Sequence, residues 1–124
     1  MDSKVKTKIK NLIEKYNPKK IFMPSEHDPH MDHRAVYSVI LDILKKIKYN
    51  KDIYSYEVWN LIKEDKPITY VDITYYFKIK INMMKDFKNQ WHFMYPLILP
   101  VYFRAKQFGE KAGCKYAERF YKIQ

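Results

Sequence analysis

Three histidines and three acidic residues lie within the ten residues from Pro24 to His33, in the sequence PSEHDPHMDH. His30 and His33 are three residues apart, with Asp32 between them. Imidazole is a common zinc ligand and a proton donor or acceptor near neutral pH, and a neighbouring carboxylate can fix its tautomer. The segment predicts a metal site or an acid–base pair. The alternative interpretation is a solvated polar loop that caps the following helix.

This segment cannot complete a catalytic zinc site by itself. Such sites usually have three protein ligands and an open position for water. His27, His30 and His33 cannot all reach one ion together with Asp28 unless the loop is strained. The only other histidine is His92, and its neighbours Trp91 and Phe93 favour a packing role for it. If the segment binds zinc, it can supply only part of the site.

The elements next to this segment follow from hydrophobic periodicity. The apolar run 21–23 predicts a buried strand before the segment. Apolar residues at helical spacing predict a helix over 33–47 after it, with Asp32 as a plausible N-cap. Open α/β sheets bind ligands beyond the carboxyl ends of their strands, which is where the segment falls.

The rest of the chain alternates helices with strands, which predicts an α/β layer fold in one domain, residues 1–124. The further predicted elements are helices over 3–16, 75–88 and 97–112 and strands over 53–59, 70–71 and 117–123. Asp72 or Thr74 is expected to cap the helix over 75–88. Sheets of this class usually begin with a strand that carries the first site loop. This chain begins with a helix, so we expect further sequence upstream.

Composition excludes several classes of function. Two glycines are too few for a Gly-rich phosphate loop, and the single cysteine, Cys114, excludes an internal disulfide and fits a reducing compartment. The formal net charge is +10, but the lysines are spread from Lys4 to Lys122, so nucleic-acid binding is not favoured. An anionic substrate or a membrane surface remains open as a partner. The chain shows neither a signal peptide nor an apolar stretch of spanning length, which predicts a cytoplasmic protein.

The central segment, read as Asp28-Pro-His30-Met-Asp32-His33-Arg-Ala, resembles the second motif of the LmbE/PIG-L family of zinc-dependent N-acetylglucosaminyl deacetylases. That motif reads Asp-x-His-Pro-Asp-His, is often followed by Arg-Ala, and comes after a strand ending in proline. Downstream segments that resemble the family in the same order are 56–59, 71–74, Lys80, Gln90 and 116–120. The resemblance covers most of the chain from about Ile21 onward. It implies a Rossmann-like three-layer α/β sandwich, of which this chain is the C-terminal part.

The resemblance also implies roles for individual residues. His33 matches a zinc ligand of the family. His30 matches the histidine that stabilises the oxyanion or acts as general acid, and Asp32 matches the aspartate that orients and charges a histidine. The implied reaction is hydrolysis of the acetamide of an N-acetylglucosamine-type sugar conjugate, with zinc polarising the carbonyl group and its bound water.

The sequence departs from the family pattern at three places, and these departures bear on the expected activity. Met31 replaces a proline, and 87–90 (Phe-Lys-Asn-Gln) stands where the family tends to have His-x-Ser-Gln. Nothing before Lys20 resembles the N-terminal motif Ala-His-Pro-Asp-Asp-Glu, which supplies two zinc ligands and the general base. We therefore expect the chain to be inactive alone and to need a separate N-terminal half or a homo-oligomer. The alternative is an inactive fragment or a basic binding or interaction module.

Overall fold

The computed structural model describes residues 2–57, 62, 64–86 and 91–124, without the side chains of 91–95. The helices are α1 (Ser3–Tyr16), α2 (Met31–Lys46), α3 (Phe77–Lys85) and α4 (Trp91–Ala112). The strands are β1 (Lys20–Pro24), β2 (Asp52–Tyr56), β3 (Ile68–Asp72) and β4 (Ala117–Lys122). This order confirms the expected α/β class. No helix in the described part of the chain is both long enough and apolar enough to cross a bilayer.

The described strands form a sheet in the order β1-β2-β4-β3. β1 and β2 are parallel, with Lys20 opposite Asp52 and Pro24 opposite Tyr56. Parallel neighbours need a crossover connection, and α2 provides it and contacts β1. The segment that begins at Ser25 therefore leaves the carboxyl end of β1, as the sequence predicts.

The chain divides into two compact units. Unit 1 comprises the residues up to Ile68 together with Tyr121–Gln124, and unit 2 comprises Thr69–Phe120. Unit 1 has a core of buried apolar side chains from β1, α2 and β2: Met23, Tyr37, Leu44 and Ile53. The core of unit 2 is formed by Ile73, Phe77 and Ala105, and the Phe77 ring stacks on Tyr116 at 4.0 Å between ring centroids.

Local interactions explain where α1 begins and ends. The side chain of Asp2 accepts a hydrogen bond of 3.1 Å from the N–H of Lys4, which satisfies a free donor of the first turn. Asn17 ends the helix with a φ of 43°, a left-handed conformation that asparagine tolerates. The prediction of a helix over 3–16 is confirmed.

Three predictions of boundaries or caps were wrong. α2 begins two residues earlier than expected, and its N-cap is His30, not Asp32. The N-cap of α3 is Tyr76, which makes no side-chain cap hydrogen bond, while Asp72 accepts from the N–H of Thr74 in the preceding turn. α4 begins at Trp91 although Pro96 and Pro100 lie inside it. Each proline removes one helical hydrogen bond, and the helix continues through both.

The other predicted elements are confirmed with shifted ends. β2 ends at Tyr56, and the last residues of the predicted strand, 58–59, lie outside the described residues. α4 ends before Gly113, which has a φ of 71°. That conformation explains why glycine follows the helix.

Candidate functional site

The loop between β1 and α2 has two buried side chains and an exposed outer surface. Ser25 and Asp28 are 1% and 3% exposed, whereas His27 and His30 are exposed. The N–H of His27 donates to the Ser25 hydroxyl at 3.0 Å, and the N–H of Asp28 donates to the Ser25 carbonyl at 3.3 Å. These bonds form a tight turn at the end of β1 that presents the histidines to solvent.

Asp28 organises this loop. Its carboxylate accepts a hydrogen bond of 2.8 Å from the N–H of His30, and the same oxygen lies 3.0 Å from Nδ1 of His33. Its carbonyl accepts a hydrogen bond of 2.6 Å from the Arg34 guanidinium, which also binds the carbonyl of Pro29. Sequence reasoning gave Asp28 no role, although it is the first residue of the matched motif.

His30 is the N-cap of α2, and this fixes the tautomer of its neutral ring. Its Nδ1 accepts a hydrogen bond of 3.2 Å from the N–H of Asp32, so in the neutral ring the proton is on Nε2. The carboxylate of Asp32 lies 3.7 Å from the same Nδ1 and is 87% exposed. Asp32 therefore approaches His30 in two ways. Its backbone N–H donates to the ring, and its carboxylate lies near the same ring nitrogen.

His33 lies in the first turn of α2, and its ring is 5.0 Å from the ring of His30 between centroids. Its side chain is 34% exposed. Nδ1 is buried and makes no hydrogen bond, although it is 3.0 Å from the Asp28 carboxylate. A small rotation of the ring would let an Nδ1–H donate to Asp28 and would leave Nε2 free.

These features fit His33 as one ligand of a metal ion. Metal-binding histidines usually donate their second ring N–H to a carboxylate or carbonyl, which sets the tautomer of the ligand. The unpaired Nδ1 of His33 beside the buried Asp28 provides this arrangement. Among the described residues, however, no group of three His, Cys, Asp or Glu side chains could hold a metal ion. The described residues therefore fit one ligand position but do not form a complete zinc site.

A second polar cluster lies at the carboxyl ends of β1 and β2, and sequence reasoning missed it. The Glu64 side chain is fully buried. It accepts a hydrogen bond from the Ser25 hydroxyl and another, of 2.9 Å, from the Ser55 hydroxyl. The Lys66 ammonium lies 3.0 Å from its second oxygen. Ser25 begins the loop between β1 and α2, the histidine loop (residues 25–30). This cluster therefore anchors the histidine loop to the neighbouring strand β2.

Lys66 also binds Glu26, at 2.6 Å, and its ammonium lies over the Tyr37 ring at 5.7 Å. Partial burial opposes the charge on Lys66, but hydrogen bonds to Glu26 and Glu64 outweigh it and raise the Lys66 pKa above its usual range. The hydrogen bond from Lys66 lowers the pKa of Glu26. Burial raises the pKa of the Tyr37 hydroxyl. The shifts of Lys66 and Glu26 both favour the charged forms of this pair near neutral pH.

An open cavity of about 450 Å³ lies beside α2. It is lined by Glu26, Arg34, Tyr37, Ser38, Leu41, Asp42 and Lys45. Its lining has both signs of charge and shares Arg34 and Glu26 with the surroundings of the histidine loop. The loop histidines do not line it.

The other residues that resemble the family pattern lie partly in unit 2 and partly outside the described residues. Lys80 and Glu118, which both match family segments, form an ion pair. The segment 87–90 is outside the described residues, as are Trp59 and the side chain of His92. The packing role expected for His92 therefore stays a prediction.

Neither a protein-family model nor a curated protein sequence matches the chain. Solved structures do. The 4-carboxy-2-hydroxymuconate hydratase of Pseudomonas putida matches with a TM-score of 0.80 and 16% identity, over 100% of this chain and 60% of the hydratase. The N,N'-diacetylchitobiose deacetylase of Pyrococcus horikoshii matches with a TM-score of 0.67 and 21% identity, over 98% of this chain and 52% of the deacetylase.

The zinc-inhibited form of a teicoplanin deacetylase matches with a TM-score of 0.70 and 12% identity, over 96% of this chain and 50% of that protein. The chain thus spans half to three fifths of the length of the proteins it resembles. Identities this low establish the fold alone. The expected fold class is confirmed, because the chain has the mixed α/β fold that these deacetylases and the hydratase share.

Proposed function

We propose that this chain contributes part of the active site of a zinc-dependent N-deacetylase that acts on N-acetylglucosamine-type sugar conjugates. The observation that carries the proposal is the arrangement of Asp28, His30 and His33 at the carboxyl end of β1. There the buried carboxylate of Asp28 accepts from the N–H of His30, the N-cap of α2, and lies 3.0 Å from Nδ1 of His33 in the first turn. The similarity in fold to two deacetylases supports the same reaction class.

His33 would hold the zinc ion through Nε2. Its Nδ1–H would then donate a hydrogen bond to the carboxylate of Asp28. A zinc ion held there would supply Lewis-acid polarisation of the acetamide carbonyl and activation of water. Asp28 also accepts a hydrogen bond from the N–H of His30, so the same carboxylate contacts the backbone of one histidine and faces the ring of the other. Removal of Asp28 is therefore expected to disturb metal binding and catalysis together.

His30 would donate a hydrogen bond from Nε2 to the carbonyl oxygen as negative charge develops on it. Its cap bond to the N–H of Asp32 keeps the proton on Nε2, which is the tautomer this role needs. The carboxylate of Asp32 lies 3.7 Å from Nδ1 of His30. His30 would also act as general acid for the leaving amine.

The remaining zinc ligands and the base that activates water would come from polypeptide outside these 124 residues. This can be sequence upstream in the same polypeptide, a separate N-terminal half or another copy in a homo-oligomer. Without it, we expect the chain to bind zinc weakly and to be inactive. A role as an inactive fragment or a basic interaction module is the alternative.

The similarity to a hydratase provides a second candidate. Hydration of a carbon–carbon double bond and hydrolysis of an amide both begin with an activated water. The residues of the loop serve either reaction, since fold does not choose between substrates.

The test is to tag the chain in its native cells and to capture it with the polypeptides that accompany it. Intact mass shows whether it is part of a longer polypeptide, and acetate release from N-acetylglucosamine conjugates measures activity. We expect release that chelators abolish, that His33→Ala abolishes and that His30→Asn slows roughly 100-fold with metal content retained. His30→Asn is chosen because asparagine can keep the helix cap.

Full activity in His33→Ala would refute the metal role. Captured material that releases no acetate would refute the deacetylase proposal. If that material hydrates an unsaturated carboxylic acid in a His33-dependent reaction, the hydratase alternative replaces it.

A further inference from the structure

α1 has an apolar face that the rest of the protein leaves largely uncovered. None of the residues of α1, which the structure describes in full, is buried. Val5, Leu12 and Tyr16 are 40%, 52% and 69% exposed. Ile13 packs against the core of unit 1, and Ile9 is half-buried. The helix therefore rests on one side of its apolar face and presents the other side to solvent.

A row of lysines runs beside this exposed apolar row. Lys4, Lys8 and Lys15 are exposed, and at 100° per residue they lie about a quarter-turn of the helix from Val5, Leu12 and Tyr16. The helix carries five lysines and one glutamate, and that glutamate is paired with Lys10 at 3.7 Å.

The lysines and apolar side chains are also in contact at the end of the helix. The Lys15 ammonium lies 5.3 Å from the centre of the Tyr16 ring, and the next turn of chain adds the exposed Lys19 and Lys20. A tyrosine between lysines combines an apolar ring with a polar tip, which suits a boundary between water and lipid.

We propose that α1 binds an anionic membrane surface, with Val5, Leu12 and Tyr16 entering the headgroup boundary and Lys4, Lys8 and Lys15 contacting lipid phosphates. A helix of this kind binds through buried apolar area together with attraction to anionic lipid. Charge complementarity selects the occupant, because the row beside the apolar side chains is uniformly basic. This proposal does not depend on the proposed deacetylase activity.

Other occupants fit the surface less well. The phosphates of a nucleic acid would pair with the lysines, but they would not cover the apolar side chains, which would stay exposed to water. An apolar polypeptide would cover Val5, Leu12 and Tyr16, but it would leave three like charges at its rim without a partner. An anionic bilayer surface would pair its phosphates with the lysines and would also bury the apolar side chains.

The test is co-sedimentation of the full chain with vesicles of phosphatidylcholine alone and of phosphatidylcholine mixed with phosphatidylglycerol. We expect binding to the anionic vesicles only, and weaker binding as salt is added. Each lysine at a membrane contributes about 1 kcal/mol, so Lys4→Gln/Lys8→Gln/Lys15→Gln should weaken binding on the order of 100-fold.

The matched control is Lys78→Gln/Lys106→Gln/Lys111→Gln, which removes the same charge from exposed positions of α3 and α4. It should retain most of the binding. Leu12→Gln/Tyr16→Gln tests the apolar row, with Leu99→Gln/Phe103→Gln as its control, because these four side chains are all exposed. Circular dichroism confirms that each variant is folded.

Three results would overturn the proposal. They are no binding to anionic vesicles, equal loss in the α1 lysine variant and its control, and unchanged binding in Leu12→Gln/Tyr16→Gln. The last result would leave only nonspecific attraction between a basic protein and an anionic surface. Salt-sensitive binding to a DNA duplex that the α1 lysine variant loses, without vesicle binding, would assign the row to nucleic acid.

Discussion

His30 combines a structural role with its proposed chemical one, and the two can be separated. Its Nδ1 caps α2 by accepting from the N–H of Asp32. We expect His30→Ala to destabilise the protein by about 1 kcal/mol and His30→Asn to restore most of that loss, since asparagine is a good N-cap. Urea unfolding of the variants measures both. Equal stability of His30→Ala and the wild type would show that the cap bond contributes nothing.

At this scale, residue type and spacing identified His30 and His33 but not the partners that position them. Asp28 is the nearest example. Its sequence position places it in the loop, but only the fold shows that its carboxylate is buried against His33. Glu64 was beyond sequence reasoning, because its contact with Ser25 joins residues 39 apart in the chain. No periodicity or local motif encodes such a contact.

At the scale of elements, the cluster of Glu26, Glu64 and Lys66 ties the end of β1 to the segment before β3, and its stability should depend on pH. The pKa of Glu26 is lower in the folded protein than in the unfolded chain, where it is about 4.3. This difference stabilises the fold at pH values above about 4.3, and the stabilisation is lost as the pH falls through the folded pKa. The raised Lys66 pKa contributes stability below about 10.4 that is lost as pH rises through its folded pKa.

The stability difference between the wild type and Lys66→Gln should therefore be greatest from about pH 5 to pH 10 and should shrink outside that window. Within it we expect a loss on the order of 3 kcal/mol, because the fully buried Glu64 side chain would lose its cationic partner. Lys46→Gln is the control, since its pair with Asp42 is exposed. A pH-independent difference, or equal losses in both variants, would contradict this account.

Periodicity predicted the helices and strands well where apolar spacing decides them and poorly where a single residue marks a boundary. α1 and α2 follow their apolar spacing. The predicted start of α4, at residue 97, is six residues too late, because the helix begins at Trp91 and continues through Pro96. The cap predictions were also wrong, since His30 caps α2 in place of Asp32, and Asp72 accepts from the N–H of Thr74 in the turn before α3.

At the scale of the whole molecule, the open edge of the sheet and the net charge act in opposite directions. β1 stands at one end of the order of described strands, and Phe22 on it is 49% exposed. An exposed strand edge favours pairing with another chain. The charge of +10 opposes association, and salt screens that repulsion. We therefore expect the isolated chain to self-associate more as salt is added, the reverse of the salt response predicted for membrane binding.

Sedimentation velocity at low and high salt measures this association. Phe22→Lys should suppress it, because a charged side chain on an edge strand disfavours pairing. Tyr75→Lys, at a position that is 91% exposed in unit 2, adds the same charge away from β1 and should not suppress it. If the chain stays monomeric at every salt concentration, the β1 edge does not recruit polypeptide. If association is lost only in Phe22→Lys, the exposed edge of β1 is the surface through which copies of the chain pair.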